Sequence, residues 1–212
     1  MRSGICFIVG AGEFTCRGLK PAHGDLLLAA DGGYEALHAQ GLSPHLVIGD
    51  MDSLCFTPPQ GMSVLRFPRH KDETDMALAI RLAQGMGFRK FRLYGATGGR
   101  QDHLQANLQL LSALARSRYD ARIVAPKFTV YAIAAGTLQL RGLHRGQTVS
   151  VFCAGDEAMG VTLRGLAYEI TNARLTGDNP LGVSNQAAGE TARISVRRGT
   201  LLVFVMRQGC AD

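Results

Sequence analysis

The chain has no tryptophan, and aromatic residues make up only 7% of its 212 positions. Proteins that bind single-stranded nucleic acid stack bases on aromatic side chains interleaved with basic ones, and no such stripe is present. The 23 Lys and Arg outnumber the 17 Asp and Glu, giving a net charge of +6, but they are scattered, with Arg89-Lys90 and Arg197-Arg198 as the only adjacent pairs. That distribution suits a small anionic partner such as a phosphorylated metabolite and argues against nucleic acid. The five cysteines, Cys6, Cys16, Cys55, Cys153 and Cys210, are odd in number and show no C-x-x-C spacing. A disulfide framework and a zinc site are therefore not expected, and reduced thiols in a cytoplasmic protein are. No hydrophobic run reaches the length of a membrane span, and the apolar run in MRSGICFIVGAGEF is shorter than that of a signal peptide. Familiar nucleotide signatures are missing too. GAGEFT departs from G-x-G-x-x-G, no G-x-x-x-x-G-K-[ST] occurs, and no G-x-S-x-G marks a nucleophile.

What remains is a globular chain, 46% hydrophobic, with two different rhythms. In the first half, short apolar runs at Ile5 to Val9, Leu26 to Ala30, Leu46 to Ile48, Val64 to Phe67 and Phe91 to Tyr94 alternate with helical patterns. Tyr34, Leu37 and His38 are followed by Gly41 and Pro44 as stop signals. Met76, Ile80 and Ala83 share one helical face, as do Leu104, Leu108, Leu111 and Leu114. Strands alternating with helices predict an N-terminal α/β domain with a doubly wound, mostly parallel sheet. From about Ile123, short β-type runs (VTLRGL, ARISVRR, LLVFVM) and frequent glycines replace the helical period. They predict a smaller antiparallel all-β domain, sandwich-like or barrel-like. The expected division is 1–122 and 123–212.

The predicted strand ends carry the charge. Asp31 follows LLLAA, Asp50 and Asp52 follow LVI, Lys71, Asp72, Thr74 and Asp75 follow VLRF, and Arg100 and Asp102 follow FRLY. In a parallel sheet, the loops at the carboxyl ends of the strands gather at one edge, where such sheets bind ligands. Two carboxylates as close as Asp50 and Asp52 repel each other unless a cation or proton intervenes. Mg²⁺ takes one or two protein carboxylates plus phosphate oxygens, so the pair is expected to share a divalent metal, with Lys71 and Arg100 facing the phosphate oxygens left free. Each piece also has a plainer reading. An Asp-x-Asp after a strand is common turn chemistry, acids at a helix start are favoured by the dipole, and paired glycines mark tight turns. Convergence of several charged strand ends on one edge favours the site.

In this order, AADGG (29–33), PHLVIGDMDSL (44–54), KDETD (71–75), GATGGRQDH (95–103) and GVSNQ (182–186) resemble the thiamine pyrophosphokinase family over nearly the whole chain. The resemblance implies an enzyme that moves the diphosphoryl group of ATP onto the hydroxyethyl group of thiamine, giving thiamine diphosphate and AMP. It implies Mg²⁺ held by Asp50, Asp52 and Asp75, which with Arg100 form the catalytic set. Asp31, Gly32, Gly33, Lys71, Asp72, Thr74, Arg100 and Asp102 make up the expected ATP-binding set, and Ser184 and Asn185 the thiamine-binding segment. It also implies a homodimer whose active site draws on both subunits. Two positions depart from the usual pattern, His45 for an acid and Met51 for Phe. Some members place a tryptophan against the thiamine ring, so one of the five tyrosines or nine phenylalanines is expected to substitute. Rival readings are a pyrophosphokinase for another alcohol such as a hydroxymethyl pterin, a metal-dependent phosphatase or nuclease, and a non-catalytic thiamine- or nucleotide-binding module.

Overall fold

A computed structural model describes residues 2–49, 62–67 and 72–207. Asp50, Asp52 and Lys71 lie outside the described residues. Contacts divide the chain into two compact units, and the division is interleaved. Met1–Asn107 and Ile123–Pro126 form one unit, and Leu108–Arg122 and Lys127–Asp212 the other.

In the first unit, β1 (Ile5–Val9), β2 (Leu26–Ala30), β3 (Leu46–Gly49), β4 (Val64–Arg66) and β5 (Lys90–Tyr94) are ordered β5-β1-β2-β3-β4. Every pairing between them is parallel. β2 is buried at all five positions, as expected of a strand covered on both faces. Phe7, Val9, Leu27, Ala29 and Val47 point to one face and form a cluster with Tyr34 and Leu37 of α1 (Gly33–His38). α2 (Asp75–Gly85) packs against β1, β2 and β3 without joining that cluster, so it covers the opposite face. A helix on each face of a parallel sheet is the doubly wound arrangement. α3 (Gln101–Arg116) follows β5, and its first seven residues belong to this unit.

The second unit is antiparallel throughout. β7 (Phe128–Arg141), β8 (Thr148–Cys153), β9 (Glu157–Arg164), β10 (Ile170–Thr176), β11 (Asn185–Gln186) and β12 (Thr191–Met206) follow β6 (Asp120–Val124) in the chain. The runs ARISVRR and LLVFVM, separate in the sequence pattern, belong to one strand, β12. Its register against β7 slips between Val196 and Thr200, a bulge that bends the strand and resets which residues face inward. Ala192, Ile194 and Val196 face the core before the slip, and Leu201 and Val203 after it. The first half of β12 pairs with β9 and the second half with β8, so one bent strand links both partners to the same core.

One glycine ties the first unit's helix to its sheet. A Cβ on Gly33 would lie 1.8 Å from the carbonyl oxygen of Val9, a contact that only backbone movement can relieve. Gly33→Ala is expected to cost about 3 kcal/mol, the upper part of the overpacking range. This would be read as a lower urea midpoint with an unchanged slope, and an unchanged midpoint would contradict it.

Candidate functional site

The carboxyl ends of β1, β2 and β5 and the start of α2 open on a cleft of about 630 Å³ within the first unit, a volume suited to a nucleotide-sized ligand. Its wall is built from the Gly10–Gly12 turn after β1, Asp31 after β2, the run Asp72 to Met76 where α2 begins, and Gly95 to Arg100 after β5, with His103 and Asn107 from α3. The expected edge is thus present. Asp31, Asp72, Thr74, Asp75 and Arg100 all line it.

The floor is held by extension of the β1–β5 ladder beyond the strands. Gly10 N–H donates to Tyr94 O at 2.8 Å, Gly12 N–H to Gly95 O at 2.9 Å and Glu13 N–H to Thr97 O at 2.7 Å. The buried Asn107 reaches across from α3, its Nδ2 donating to Ala96 O at 2.8 Å. Four successive carbonyls, those of residues 94–97, are thereby taken up. The amides of Ala96 to Gly99 make no backbone hydrogen bond among the described residues. This close approach requires Gly95, which has φ +55° and whose Cβ would lie 2.1 Å from Gly10 O. A loop with occupied acceptors and free donors, running into the N-terminus of a helix, favours an anion.

The acidic side is set by local structure. Thr74 caps α2, its Oγ1 accepting from Ala77 N–H at 3.2 Å, and the cap places Asp75 in the first turn. Glu73 is held by Arg81 at 2.8 Å on the exposed surface. Asp31 takes a left-handed backbone with φ +52°, its N–H donating to Ile48 O at 2.8 Å. Asp31 Oδ1 is buried without a hydrogen-bond partner among the described residues. An acceptor left so costs about 1–3 kcal/mol, which a cation or a ligand donor would relieve. No group of three or more His, Cys, Asp or Glu able to hold a metal occurs among the described residues, two of the three expected ligands lying beyond them. The described carboxylates of the cleft, Asp31, Asp72, Glu73 and Asp75, offer only hard oxygen donors, a donor set that fits Mg²⁺.

Arg100 and Asp102 engage each other. Arg100 Nε donates to Asp102 Oδ1 at 3.2 Å and Nη2 to Oδ2 at 2.5 Å, a forked pair with both side chains well exposed. Asp102 does not line the cleft. It orients Arg100 and accepts from His103 N–H at 3.0 Å in the first turn of α3. Gly32 and Gly33 also stand back from the cleft wall.

In the second unit, Asn185 is buried and both its amide oxygen and its amide nitrogen are hydrogen-bonded. Oδ1 accepts from Tyr168 N–H at 3.0 Å and Gln186 N–H at 2.8 Å, and Nδ2 donates to Tyr168 O at 2.7 Å. Ser184 has φ +55° and its N–H donates to Ser150 Oγ at 3.0 Å. The clamp on both backbone groups of Tyr168 leaves its ring outside, 74% exposed, while Tyr34 and Tyr94 are buried. Nothing in the sequence marks Tyr168, because a lone aromatic carries no pattern; Thr97 reads there as part of a glycine turn, and the Gly10–Gly12 turn matches no nucleotide fingerprint.

The forked hydrogen bonding by Arg100 holds the Asp102 carboxyl below the usual carboxylate range. With its pKa depressed, the pair is intact at neutral pH and is lost only as pH falls through that lowered value. Carboxyl NMR is expected to show Asp102 titrating below about 3.9 and returning toward it in Arg100→Gln. A wild-type midpoint at or above that figure would contradict the pairing.

Comparison with known proteins bears on the whole chain. The family model for the thiamin pyrophosphokinase catalytic domain matches residues 21–124, and that for the thiamin pyrophosphokinase vitamin B1 binding domain matches residues 137–201. A thiamine pyrophosphokinase of Bacillus subtilis (strain 168) is 24% identical over 184 residues, covering 84% of this chain and 86% of the relative. Among solved structures, the thiamine pyrophosphokinase from Bacillus subtilis superposes with a TM-score of 0.86 at 23% identity, covering 96% of this chain and 99% of that one. The thiamin pyrophosphokinase from Geobacillus thermodenitrificans gives 0.82 at 27% identity, over 98% and 100%. With both domain models matched in order and the fold shared from end to end, the chain belongs to the thiamin pyrophosphokinase family.

Proposed function

We propose that this chain transfers the diphosphoryl group of ATP to the hydroxyethyl group of thiamine, giving thiamine diphosphate and AMP, with Mg²⁺ as the required ion. Formation of thiamine diphosphate follows from family membership. ATP as donor rests on the cleft, whose free amides and Arg100 suit a polyphosphate and whose volume suits a nucleotide. The observation that carries the reading is the juxtaposition of that anion-favouring loop with Asp31, Asp72 and Asp75 in one cleft.

The reaction forms a bond between the thiamine hydroxyl oxygen and the β-phosphorus and breaks the bridge to the α-phosphate, releasing AMP. Little covalent work falls to the protein, so positioning and charge carry the rate. The loop amides of residues 96–99 hold phosphate oxygens. Arg100, steadied by Asp102, offers Nη1 to another. Asp75, with Asp50 and Asp52, would hold Mg²⁺, which supplies charge stabilisation on the phosphate oxygens. The hydroxyl proton passes to an acceptor, for which the aspartates of the cleft are the candidates. Tyr168 is the aromatic that would face the thiamine ring, supported by its exposure and by the Asn185 clamp. Ser184 and Asn185 then serve thiamine by shaping that loop. The enzyme is read as a homodimer whose active site draws on both subunits, acting in the cytoplasm. No helix among the described residues is long and apolar enough to cross a membrane.

The test is a mixture of protein, ATP, Mg²⁺ and thiamine resolved by chromatography. Equal amounts of AMP and thiamine diphosphate are expected. AMP without thiamine diphosphate would overturn the acceptor, and intact ATP would overturn the catalysis. Asp75→Asn is expected to lower turnover about a hundredfold or more, as loss of one key electrostatic group does, and near wild-type turnover would remove Asp75 from the catalytic set. Tyr168→Ala is expected to raise KM for thiamine about tenfold, in the range of one lost aromatic contact, with KM for ATP unchanged. An unaltered thiamine KM would mean that another residue faces the ring.

A further inference from the structure

The side chain of Thr97 has no role in the account above, yet Thr97 is a buried polar residue, 3% exposed, on the cleft wall. Its Oγ1 has no hydrogen-bond partner among the described residues. A buried hydroxyl in that state destabilises a protein, and valine, nearly its equal in shape, would fill the same space without the cost. The hydroxyl therefore calls for a partner that arrives from the cleft.

The loop indicates which kind. Thr97 O already accepts from Glu13 N–H, and the neighbouring carbonyls of Tyr94, Gly95 and Ala96 are likewise occupied. What the loop still offers are donors: the amides of residues 96–99, followed by the first turn of the 16-residue helix α3. A hydroxyl among donors completes an anion cradle by donating its own proton.

We propose that the Thr97 hydroxyl donates a hydrogen bond to a phosphate oxygen of the bound nucleotide's polyphosphate chain, which makes Thr97 a further binding residue of the cleft. This rests on the nucleotide reading above and assigns a specific atom to it. It also implies that the hydroxyl is kept at the expense of the stability of the empty protein.

The test measures binding and unfolding separately from turnover. Calorimetry with inorganic pyrophosphate, ATP and adenosine, each with Mg²⁺ present, would be run on the wild type, Thr97→Val and Thr97→Ser. Thr97→Val is expected to weaken pyrophosphate and ATP about ten- to a hundredfold, the range for a hydrogen bond to a charged group, and to leave adenosine unchanged. Thr97→Ser is expected to stay within about threefold of wild type, because it retains the donor. Without ligand, Thr97→Val is expected to melt at or above the wild-type temperature. Wild-type pyrophosphate affinity in Thr97→Val would overturn the proposal, as would an equal loss for adenosine, which would place the contact on the nucleoside. A melting temperature lowered by several degrees would overturn it as well, because the hydroxyl would then have a partner within the protein. A wild type that binds pyrophosphate but yields no AMP would instead refute the diphosphoryl-transfer reading, with the Thr97 result still decided by binding.

Discussion

The hydrogen-bond ladder between β1 and β5 does not stop where the strands stop. Its continuation through Gly10, Gly12 and Glu13 onto the carbonyls of Tyr94, Gly95 and Thr97 is the constraint on which the cleft depends. Ordinary loops leave acceptors and donors mixed toward solvent. Here one side of the loop is consumed by its neighbour and by Asn107, so the other side presents donors together. The same contact explains why glycine is needed at the junction, since a side chain at Gly95 would collide with Gly10. Polarity is thus imposed on the loop by packing, before any charged side chain takes part.

Charge is then distributed around that loop in two signs. Arg100 and the N-terminal turn of α3 line the same cleft as Asp31, Asp72 and Asp75. A polyphosphate with its counter-ion likewise combines anionic oxygens and a cation. The second unit handles a different problem. Its bent strand β12 supplies residues to the core on both sides of its bulge, while the buried amide of Asn185 holds the backbone of Tyr168, whose ring is exposed.

Much of this was legible in the residues. The alternation of apolar runs with helical periods predicts the parallel sheet because strands buried on both faces have no polar positions, as in Leu26–Ala30. The clustering of Asp31, Asp72, Thr74, Asp75 and Arg100 follows from parallel strands sharing one carboxyl edge. Other features depend on long-range geometry that no local pattern records. Asn107 acts on Ala96 across a helix turn and a loop, and nothing in its own neighbourhood marks it. Thr97 reads as part of a glycine turn until its burial is known. β12 reads as two strands because the Arg197-Arg198-Gly199 interruption looks like a break, whereas a bulge passes through it. Arg100 and Asp102, both drawn to the phosphates by their positions in the motif, turn out to be bound to each other, so one serves the cleft and the other positions its partner.

The central claim is that the donor loop after β5 receives the polyphosphate. It is tested most directly by a crystal structure with Mg²⁺ and α,β-methylene ATP, whose α–β bridge resists the proposed cleavage. The account requires the triphosphate to lie against the amides of residues 96–99, within reach of Arg100. A nucleotide bound with its phosphates away from that loop, or its base seated there instead, would contradict it.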